Sequence, residues 1–515
     1  MKHAETIGTL LRRQHHALGA RPFLSVPDAK VTLSFSETYR ESTALAVRLT
    51  ELGAGAGDRV ALLFPNGVPA ALGLMAVFSV GAVAVPLNPR LTPEEIRQAL
   101  ELSGARLILC PSDLGPAITA ALRGVWSRLD GGFTSHLNGT AIYCREPIDR
   151  RDGEGREATA DDPALILFTS GTTGTPKGVV LSHANLLANA GFVRKAHRLT
   201  PDDVALCILP LFHINGLVVT LLTPLLTGMP VLLPTRFEVG RFWEWIREHR
   251  VTWFSAVPTI LSLLLSHPDP PREDLATLRF ARSASAPLPV PVLKQFERRF
   301  EIPVIETYGI SEAACQVTAN PHPPGSRKPG SAGIPVGNRL QVLNGAGHPV
   351  AAGTVGEVVI AGVNVFAGYL DNPAADREAL KNGWFHTGDL GYLDADGFLF
   401  LTGRKKELIN RAGEKISPRE VEEVVHRLPE VETVGVVGVP HQLYGEEVTA
   451  FITLRQGSRL TTQQVRDFCR EHLAGYKVPR EVFFIPEFPC GPSGKVQRRR
   501  LLEVYTQLKE QKVHP

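Results

Sequence analysis

Short apolar runs rich in β-branched residues recur between about residues 58 and 310, and helix-forming segments separate them. Such alternation is typical of parallel sheets whose strands are joined by crossover helices. The runs that predict strands are 60–64, 84–87, 107–110, 165–169, 204–209, 231–233, 252–257, 278–281 and 304–307. The hydrophobic pattern therefore predicts an α/β architecture for this part of the chain.

Two helices are predicted in particular. The sequence Thr-Pro-Glu-Glu at 92–95 places a cap, a proline at the first helical position and a capping-box carboxylate in register. The segment 239–249 has an apolar face typical of a helix packed on a core.

The stretch 216–233 lacks charges over about the length of a membrane span, but its two prolines and a glycine divide it into a helix and a strand. We therefore interpret it as buried core.

The pattern changes twice in the second half of the chain. Between residues 333 and 401 the helical periodicity fades and glycines separate short β runs at 340–343, 355–360, 391–393 and 398–401, which predicts a compact β subdomain. After Arg404 a small α+β domain is predicted. Its segments are helices 418–428 and 461–473 and strands 434–439, 449–454 and 482–485. We therefore divide the chain into residues 1–404, with the β subdomain at 333–401, and residues 405–515.

Composition narrows the class of protein. Hydrophobic residues make up 43% of the 515 residues and charged residues 21%, as in ordinary globular enzymes of several domains. A net charge of +3, spread over the chain, argues against a nucleic-acid partner. The six cysteines include no C-x-x-C pair, so neither a zinc ribbon nor a disulfide framework is indicated. Because the segment 1–20 carries arginines and histidines where a signal peptide needs an apolar core, we expect a cytoplasmic protein with no integral membrane association.

The segment 168–178, FTSGTTGTPKG, combines hydroxyls, glycines and a lysine directly after a strand-like run. Glycines let the backbone approach an oxyanion, hydroxyls and amides donate hydrogen bonds to it, and the ammonium supplies charge. The spacing is not that of a P-loop, since Pro176 precedes Lys177 and Gly178 follows it. Taken alone, the segment is either a polar surface loop or a phosphate-binding loop.

This segment resembles the phosphate loop of the adenylate-forming superfamily, which includes acyl-CoA synthetases, nonribosomal peptide adenylation domains and luciferases. Further resemblances follow in the family's order at LPLFHINGL (209–217), RSASAPL (282–288), ETYGISE (306–312), WFHTGDL (384–390), GEKISP (413–418) and PSGK (492–495). The resemblance implies a large N-terminal domain of two doubly wound sheets plus a small β-barrel-like subdomain. A small mobile α+β C-terminal domain would follow it.

The resemblance also implies a nucleotide site. Tyr308 would pack on adenine, Asp389 would accept hydrogen bonds from the ribose hydroxyls, and the Ser311 hydroxyl would reach the α-phosphate. Glu312 and Thr169 would ligate Mg²⁺, a hard cation that prefers oxygen ligands. The residues implied at ATP or AMP are Thr169, Ser170, Gly171, Thr172, Thr173, Gly174, Lys177, Ser285, Ala286, Glu306, Tyr308, Gly309, Ser311, Asp389 and Arg404.

Catalytic and acyl-binding roles are implied in the same way. The catalytic residues would be Lys495, Thr169, Glu312 and His213. Lys406 falls at the family's hinge position. The residues implied at the acyl group or CoA are His213, Arg282, Ser283, Ala284, Cys315, Gly413 and Glu414. Without the resemblance, a lone histidine such as His213 in an apolar run is more often a core residue.

The reaction implied is that of an ATP-dependent acid–CoA ligase, which forms an acyl-adenylate and pyrophosphate and then transfers the acyl group to CoA. A carboxylic acid, ATP, Mg²⁺ and CoA are its expected partners, and the protein is expected to be a monomer or homodimer. One alternative is a stand-alone adenylating enzyme that loads a carrier protein. Another is a serine hydrolase, because residues 309–313 approximate a G-x-S-x-G nucleophile elbow around Ser311.

The acyl substrate is the least defined part of the prediction. The segments 320–321, 327–331 and 406–411 resemble oxalate–CoA ligases most, whereas Ala314-Cys315 departs from the Thr-His pair expected there. Arg282 either pairs with a distal carboxylate of a small diacid or forms a buried scaffold ion pair with an acidic neighbour. An apolar lining near Cys315 would favour a monoacid instead.

Overall fold

The computed structural model describes residues 5–129, 135–145, 156–169, 176–489 and 496–513. Nine strands among them form one mixed sheet. Its central strands run parallel, while the pairs at both edges are antiparallel. In spatial order they are Ile334–Pro335, Cys315–Ala319, Val304–Ile310, Phe280–Ser283, Trp253–Ala256, Ala205–Leu206, Val231–Leu232, Pro22–Val26 and Val31–Ser34.

A second mixed sheet has eight strands within the described ranges. Its four parallel strands lie at the centre and antiparallel strands flank them. In spatial order they are Gly368–Tyr369, Lys177–Ser182, Pro163–Thr169, Val83–Pro86, Arg59–Leu62, Leu107–Pro111, Thr140–Cys144 and Ser127–Leu129. Both sheets contain the predicted parallel strands, which confirms the α/β prediction.

Helices cover these sheets and share large apolar cores with them. The α-helices of the described N-terminal part are Ile7–Leu18, Phe35–Glu51, Val68–Ser79, Pro93–Ser103, Pro116–Leu122, His183–Ala196, Thr223–Thr227, Phe242–Glu248, Pro258–Leu265, Val290–Phe300 and Pro373–Ala379. The predicted capping box is present: Thr92 Oγ1 accepts from Glu95 N at 3.3 Å, and Glu95 Oε2 accepts from Thr92 N at 2.8 Å. The segment predicted as helix 239–249 begins as a 3₁₀ turn, Val239–Arg241, before its α-helix.

The uncharged stretch predicted as core is indeed buried, but its first part is a π-helix, Asn215–Leu222, which leads into the helix Thr223–Thr227. The strand Val231–Leu232 follows. Gly216 is required at the start of the π-helix, because a Cβ there would lie 2.3 Å from Pro210 O. None of the described helices combines the length and the apolar composition that crossing a membrane requires.

An antiparallel sheet follows the two mixed sheets, as the β pattern predicted. Its strands are Arg339–Leu343, Gly356–Ala361, Leu380–Lys381, Trp384–Leu393 and Leu399–Arg404. The long strand begins at Trp384, well before the predicted start at 391. Polar residues interrupt its hydrophobic alternation, and one of them, Asp389, belongs to the candidate site described below.

A small α+β unit with its own apolar cores ends the described chain. Its strands are Ile409–Arg411, Glu414–Ile416, Val431–His441, Gly445–Leu454 and Glu481–Phe484, and its helices are Pro418–Val425, Thr462–His472 and Arg498–Val513. Arg498 donates to Glu407 at 2.8 Å and to Glu422 at 2.7 Å and 2.9 Å. This unit confirms the predicted α+β fold, whereas the exact boundary after Arg404 stays a prediction.

Candidate active site

Two neighbouring parallel strands of the nine-stranded sheet, Phe280–Ser283 and Val304–Ile310, end beside each other, and chemically active side chains follow both ends. Gly309 lets the next strand pack closely, because a Cβ at this position would lie 2.0 Å from Cys315 O. The segments 282–288 and 306–312, predicted separately from the sequence, therefore meet at one edge of the sheet. Ligands of open α/β sheets bind at such carboxyl ends.

One group of charged and phenolic side chains, which we call the Asp389 cluster, consists of Tyr308, Asp389 and Arg404. Tyr308 OH donates to Asp389 Oδ2 at 2.5 Å, and Arg404 Nε donates to Asp389 Oδ1 at 2.8 Å. Asp389 is 5% exposed, and burial together with this carboxylate raises the pKa of Tyr308 well above its ordinary value. The carboxylate is thus fixed by two donors, one for each oxygen.

A second chain of contacts links the end of the glycine-rich segment to Glu312. Thr169 and Lys177 are paired across adjacent strands, and Thr169 Oγ1 donates to Lys177 O at 3.4 Å. Lys177 Nζ lies 4.9 Å from the centre of the Tyr369 ring, whose hydroxyl donates to Glu312 Oε1 at 2.9 Å. Burial raises the pKa of Glu312. Tyr369 thus connects two predicted site residues that are far apart in sequence.

Six predicted site residues lie outside the described residues. They are Ser170, Gly171, Thr172, Thr173, Gly174 and Lys495.

Glu306 lies on the strand beside Ser283 and is 8% exposed. Its carboxyl group accepts a hydrogen bond from Gly330 N at 3.0 Å. Burial raises the pKa of Glu306 to about 8, despite that hydrogen bond and the nearby Arg419. This acid therefore holds its proton at neutral pH.

The second distinctive group, which we call the Arg282 cluster, surrounds a fully buried guanidinium. Its members are Arg282, Asn215, Ser255, Cys315 and Gln316. Arg282 Nη1 donates to Asn215 Oδ1 at 3.1 Å and to Ser255 Oγ at 3.0 Å, and Nε donates to Gln316 Oε1 at 3.3 Å. All of these acceptors are neutral.

No carboxylate among the described residues accepts a hydrogen bond from Arg282, and Nη2 has no hydrogen-bond acceptor there. The Cys315 thiol interacts with the same guanidinium. Burial lowers the pKa of Arg282, but a guanidinium remains charged in proteins. The acidic neighbour that a scaffold ion pair requires is not found among the described residues, and the role of Arg282 stays a prediction.

Two predicted site residues next to Arg282 have a positive φ, Ser285 predicted at the nucleotide and Cys315 predicted at the acyl group. Ser285 has a φ of +73° and its Oγ accepts from Asn215 Nδ2 at 3.4 Å. Cys315 also has a positive φ, +112°, at the start of its strand. Backbone strain of this kind is concentrated at functional sites. His213 is half-buried just before the π-helix and packs on Phe212, with ring centres 4.8 Å apart.

Two family profiles match the chain. The profile of the AMP-binding enzyme covers residues 11–370, and that of the AMP-binding enzyme C-terminal domain covers residues 420–495. The chain belongs to this family.

The ligase is similar over nearly its whole length to proteins of known activity. It is 40% identical over 499 residues to the sulfoacetate–CoA ligase of Cupriavidus necator, with 97% of each chain covered. It is 39% identical over 511 residues to the oxalate–CoA ligase of Arabidopsis thaliana, which covers 96% of this chain and 98% of the relative.

A solved structure has the same fold. The o-succinylbenzoate CoA synthetase of Bacillus subtilis, in complex with ATP and magnesium, matches with a TM-score of 0.82 at 31% identity, covering 96% of this chain and 98% of that one. These findings confirm the predicted fold and reaction class: the protein is an AMP-forming acid–CoA ligase that works through an acyl-adenylate and uses ATP, Mg²⁺ and CoA.

The serine hydrolase alternative is wrong. A nucleophile elbow joins a strand to a helix, whereas Ser311 begins a single 3₁₀ turn, Ser311–Ala313, that leads into an antiparallel strand. Within the described ranges the Ser311 hydroxyl has no histidine partner.

The C-terminal unit of the ligase presents its predicted residues differently. Gly413 and Glu414 are exposed, and nothing lies within 4 Å of a Cβ built on Gly413. Ser417, by contrast, donates to Thr402 O. Lys406 lies in the turn Lys405–Glu407 and pairs with Glu378 at 3.4 Å. The structure does not bring Gly413 or Glu414 to the two clusters.

Sequence reasoning missed several residues of the site. Tyr369, Gln316 and Ser255 carry no motif, and the sheet topology brings them to the predicted site residues. Asn215 had a signal, since an amide within an apolar helix needs a partner when it is buried. Its partners, however, lie on other strands and could not be named in advance.

Proposed function

We propose that this ligase activates a small carboxylic acid that carries a second anionic group, and that Arg282 binds that second group. The observation that carries the proposal is the buried Arg282 guanidinium, which has only neutral partners in the described structure.

Burying an uncompensated charge costs several kcal/mol, so such groups are normally paired. A distal carboxylate or sulfonate of the substrate would supply the missing counter-charge each time the acid binds. The free Nη2 has two N–H donors, and charge-assisted hydrogen bonds of this type are about twice as strong as neutral ones. An acid without a second anion would leave the cation uncompensated.

The relatives support the same substrate class. Sulfoacetate and oxalate, after which two relatives at about 40% identity are named, each carry a second acidic group. Both a tetrahedral sulfonate and a planar carboxylate suit a guanidinium.

We propose the nucleotide roles as follows. Asp389, oriented by Tyr308 and Arg404, accepts hydrogen bonds from the ribose, and the small residues from Ser285 to Ala286 border the adenine. Lys177, with the predicted loop 170–174, contacts the phosphates. Gly309 and Ser311 would lie beside the α-phosphate, and the protonated Glu306 would support the strand beneath them.

Mg²⁺ would be held by Glu312 and Thr169. Glu312 fits this role, because its carboxyl accepts from the Tyr369 hydroxyl and burial raises its pKa, so a cation bound beside it would stabilise the charged form. Magnesium usually binds one or two carboxylates together with substrate phosphates. When bound, it would neutralise phosphate charge.

The first half-reaction needs charge neutralisation rather than a base. The substrate carboxylate is ionised at neutral pH, since carboxyl groups have pKa values near about 4. It attacks the α-phosphate in line, and the ammonium groups of Lys177 and Lys495 stabilise the charge that develops there. His213 forms one wall of the acyl pocket beside Ser283 and Ala284.

The second half-reaction transfers the acyl group to the CoA thiol. Gly413 and Glu414 are exposed and away from the clusters, so a rotation at Lys406 is needed to bring their hairpin to the acyl-adenylate. We propose that this rotation also removes Lys495 from the site.

The test is a pyrophosphate-release assay with matched pairs of acids. Oxalate, malonate, succinate and sulfoacetate form one set, and acetate, propionate and butyrate form the other. We expect the highest kcat/KM for a member of the first set. Efficient turnover of octanoate or butyrate, together with no turnover of any acid in the first set, would contradict the proposal.

A further inference from the structure

Gln316 is the buried residue that joins the guanidinium to the protein interior. Its Oε1 accepts from Arg282 Nε at 3.3 Å and from His197 Nε2 at 3.1 Å, and all three side chains are fully buried. A single amide oxygen thus receives two donors, one of which is charged.

The backbone of Gln316 is fixed as firmly as its side chain. Gln316 N donates to Asn189 Oδ1 at 3.1 Å, and Asn189 Nδ2 donates to Gln316 O at 2.7 Å. Asn189 belongs to the helix His183–Ala196, which His197 ends. One helix therefore holds both ends of Gln316.

His197 can serve only as a donor to Gln316. Its ring is stacked on Phe280, with centres 5.3 Å apart, and burial together with the nearby Arg282 lowers the pKa of His197 to about 3. The ring is therefore neutral, and a hydrogen bond to an amide oxygen requires the proton on Nε2.

These contacts fix the rotation of the guanidinium. Gln316 binds Nε, while Asn215 and Ser255 bind Nη1, so Nη2 is the nitrogen left for a ligand. We infer that Gln316, held by His197 and Asn189, is a positioning and specificity residue that directs Arg282 Nη2 toward the second anion of the acid without neutralising the charge. This inference rests on the proposed function.

The amide matters because a glutamate has the same shape. A carboxylate at 316 would accept the same two hydrogen bonds and also neutralise the guanidinium, which would stabilise the protein and remove the attraction for a distal anion. Gln316→Glu should thus change protein stability and affinity for the diacid in opposite directions. If Gln316 were purely structural, the substitution would lower both together.

The experiment compares Gln316→Glu, Gln316→Met and the surface control Gln98→Glu, which adds the same charge on the exposed side of the helix Pro93–Ser103. For each we would measure Tm and, with the best diacid and the best monoacid, kcat and KM. In Gln316→Glu we expect KM for the diacid to rise at least about tenfold, kcat for the monoacid to change less than about twofold, and Tm to rise. In Gln316→Met, which cannot accept these hydrogen bonds, Tm should fall.

A double variant tests the contact without any substrate. Once Arg282→Met removes the guanidinium, adding Gln316→Glu should lower Tm rather than raise it, since the new carboxylate is then buried with the neutral His197 as a donor but without a cation. An unchanged ratio of diacid to monoacid kcat/KM in Gln316→Glu, with diacids still used by the unmodified enzyme, would overturn the inference alone. If the unmodified enzyme used no diacid, the proposed function would fall instead, and with it the role of Gln316 in substrate choice.

Discussion

Asp389 and Arg282 are both buried, but among the described residues only Asp389 has a partner of opposite charge. Arg404 lies 2.8 Å and a phenol 2.5 Å from Asp389, whereas the described contacts of the Arg282 guanidinium are amide and hydroxyl oxygens and the Cys315 thiol. Nucleotide is the same in every reaction that an acid–CoA ligase performs, while the acid differs among family members. With the roles proposed above, the balanced cluster serves the invariant nucleotide, and the unbalanced cluster serves the acid and so selects the substrate.

The largest effect should come from Lys495→Ala, which removes the charge that we propose stabilises the adenylation of every acid. We expect adenylation to fall by roughly a hundredfold or more, about 3 kcal/mol of transition-state stabilisation, for monoacids and diacids alike. Conversion of a supplied acyl-adenylate and CoA to thioester should be retained. Each half-reaction would be assayed separately, and equal damage to both would contradict the assignment of Lys495.

Arg282→Met should distinguish the two clusters most clearly. The loss of the guanidinium should reduce kcat/KM for a diacid by a factor that corresponds to about 2–3 kcal/mol of transition-state stabilisation. The kcat/KM for a monoacid of similar length should stay nearly the same. Asn215 and Gln316 each keep another donor, so the pocket should persist. Arg298→Leu, which removes an exposed arginine, is the control. A comparable loss for every acid would place Arg282 in the scaffold.

Asp389→Asn should have a smaller effect with no preference among acids. The amide oxygen can still accept from Tyr308, but the charge that pairs with Arg404 and the second ribose acceptor are lost. We expect kcat/KM for ATP to fall about tenfold, roughly 1.4 kcal/mol, to the same extent with a diacid and a monoacid. If the fall in kcat/KM for ATP differed between the diacid and the monoacid, the proposed division of roles between the two clusters would be contradicted.

The smallest effect concerns Glu306, a buried acid that keeps its proton. Its pKa is about 8 in the folded protein against 4.5 ordinarily, so the folded state binds a proton that the unfolded state releases. Stability from this group is complete below about pH 4.5 and declines as the pH rises to about 8. The Tm of Glu306→Gln, relative to the unmodified ligase, should therefore increase by roughly a few degrees between pH 5 and pH 8.5. Glu101→Gln, at an exposed position, is the control. If the curves of Tm against pH for Glu306→Gln and the unmodified ligase were parallel, Glu306 would not be the buried acid that keeps its proton.

The amino-acid sequence predicted most strands of both mixed sheets, because buried parallel strands are continuous apolar runs. It also placed Tyr308, Glu312, Asp389 and Arg404 in motifs whose side chains meet in the structure. The strand Trp384–Leu393 was predicted only at its end, because residues facing the site interrupt its alternation. The environment of Arg282 could not be predicted, since its partners come from three separate segments and an absent carboxylate leaves no mark in the sequence.

Arg498 has a mechanical consequence for the C-terminal unit. Through Glu407 and Glu422 it ties the start of the last helix to the turn at 405–407 and to the helix Pro418–Val425. These ion pairs couple the three elements, so a backbone rotation at Lys406 would move them together. The base of the last helix would turn through the same angle as the hairpin that carries Gly413. The arrival of Gly413 at the acyl-adenylate and the departure of Lys495 would then be one coupled motion rather than two independently timed events.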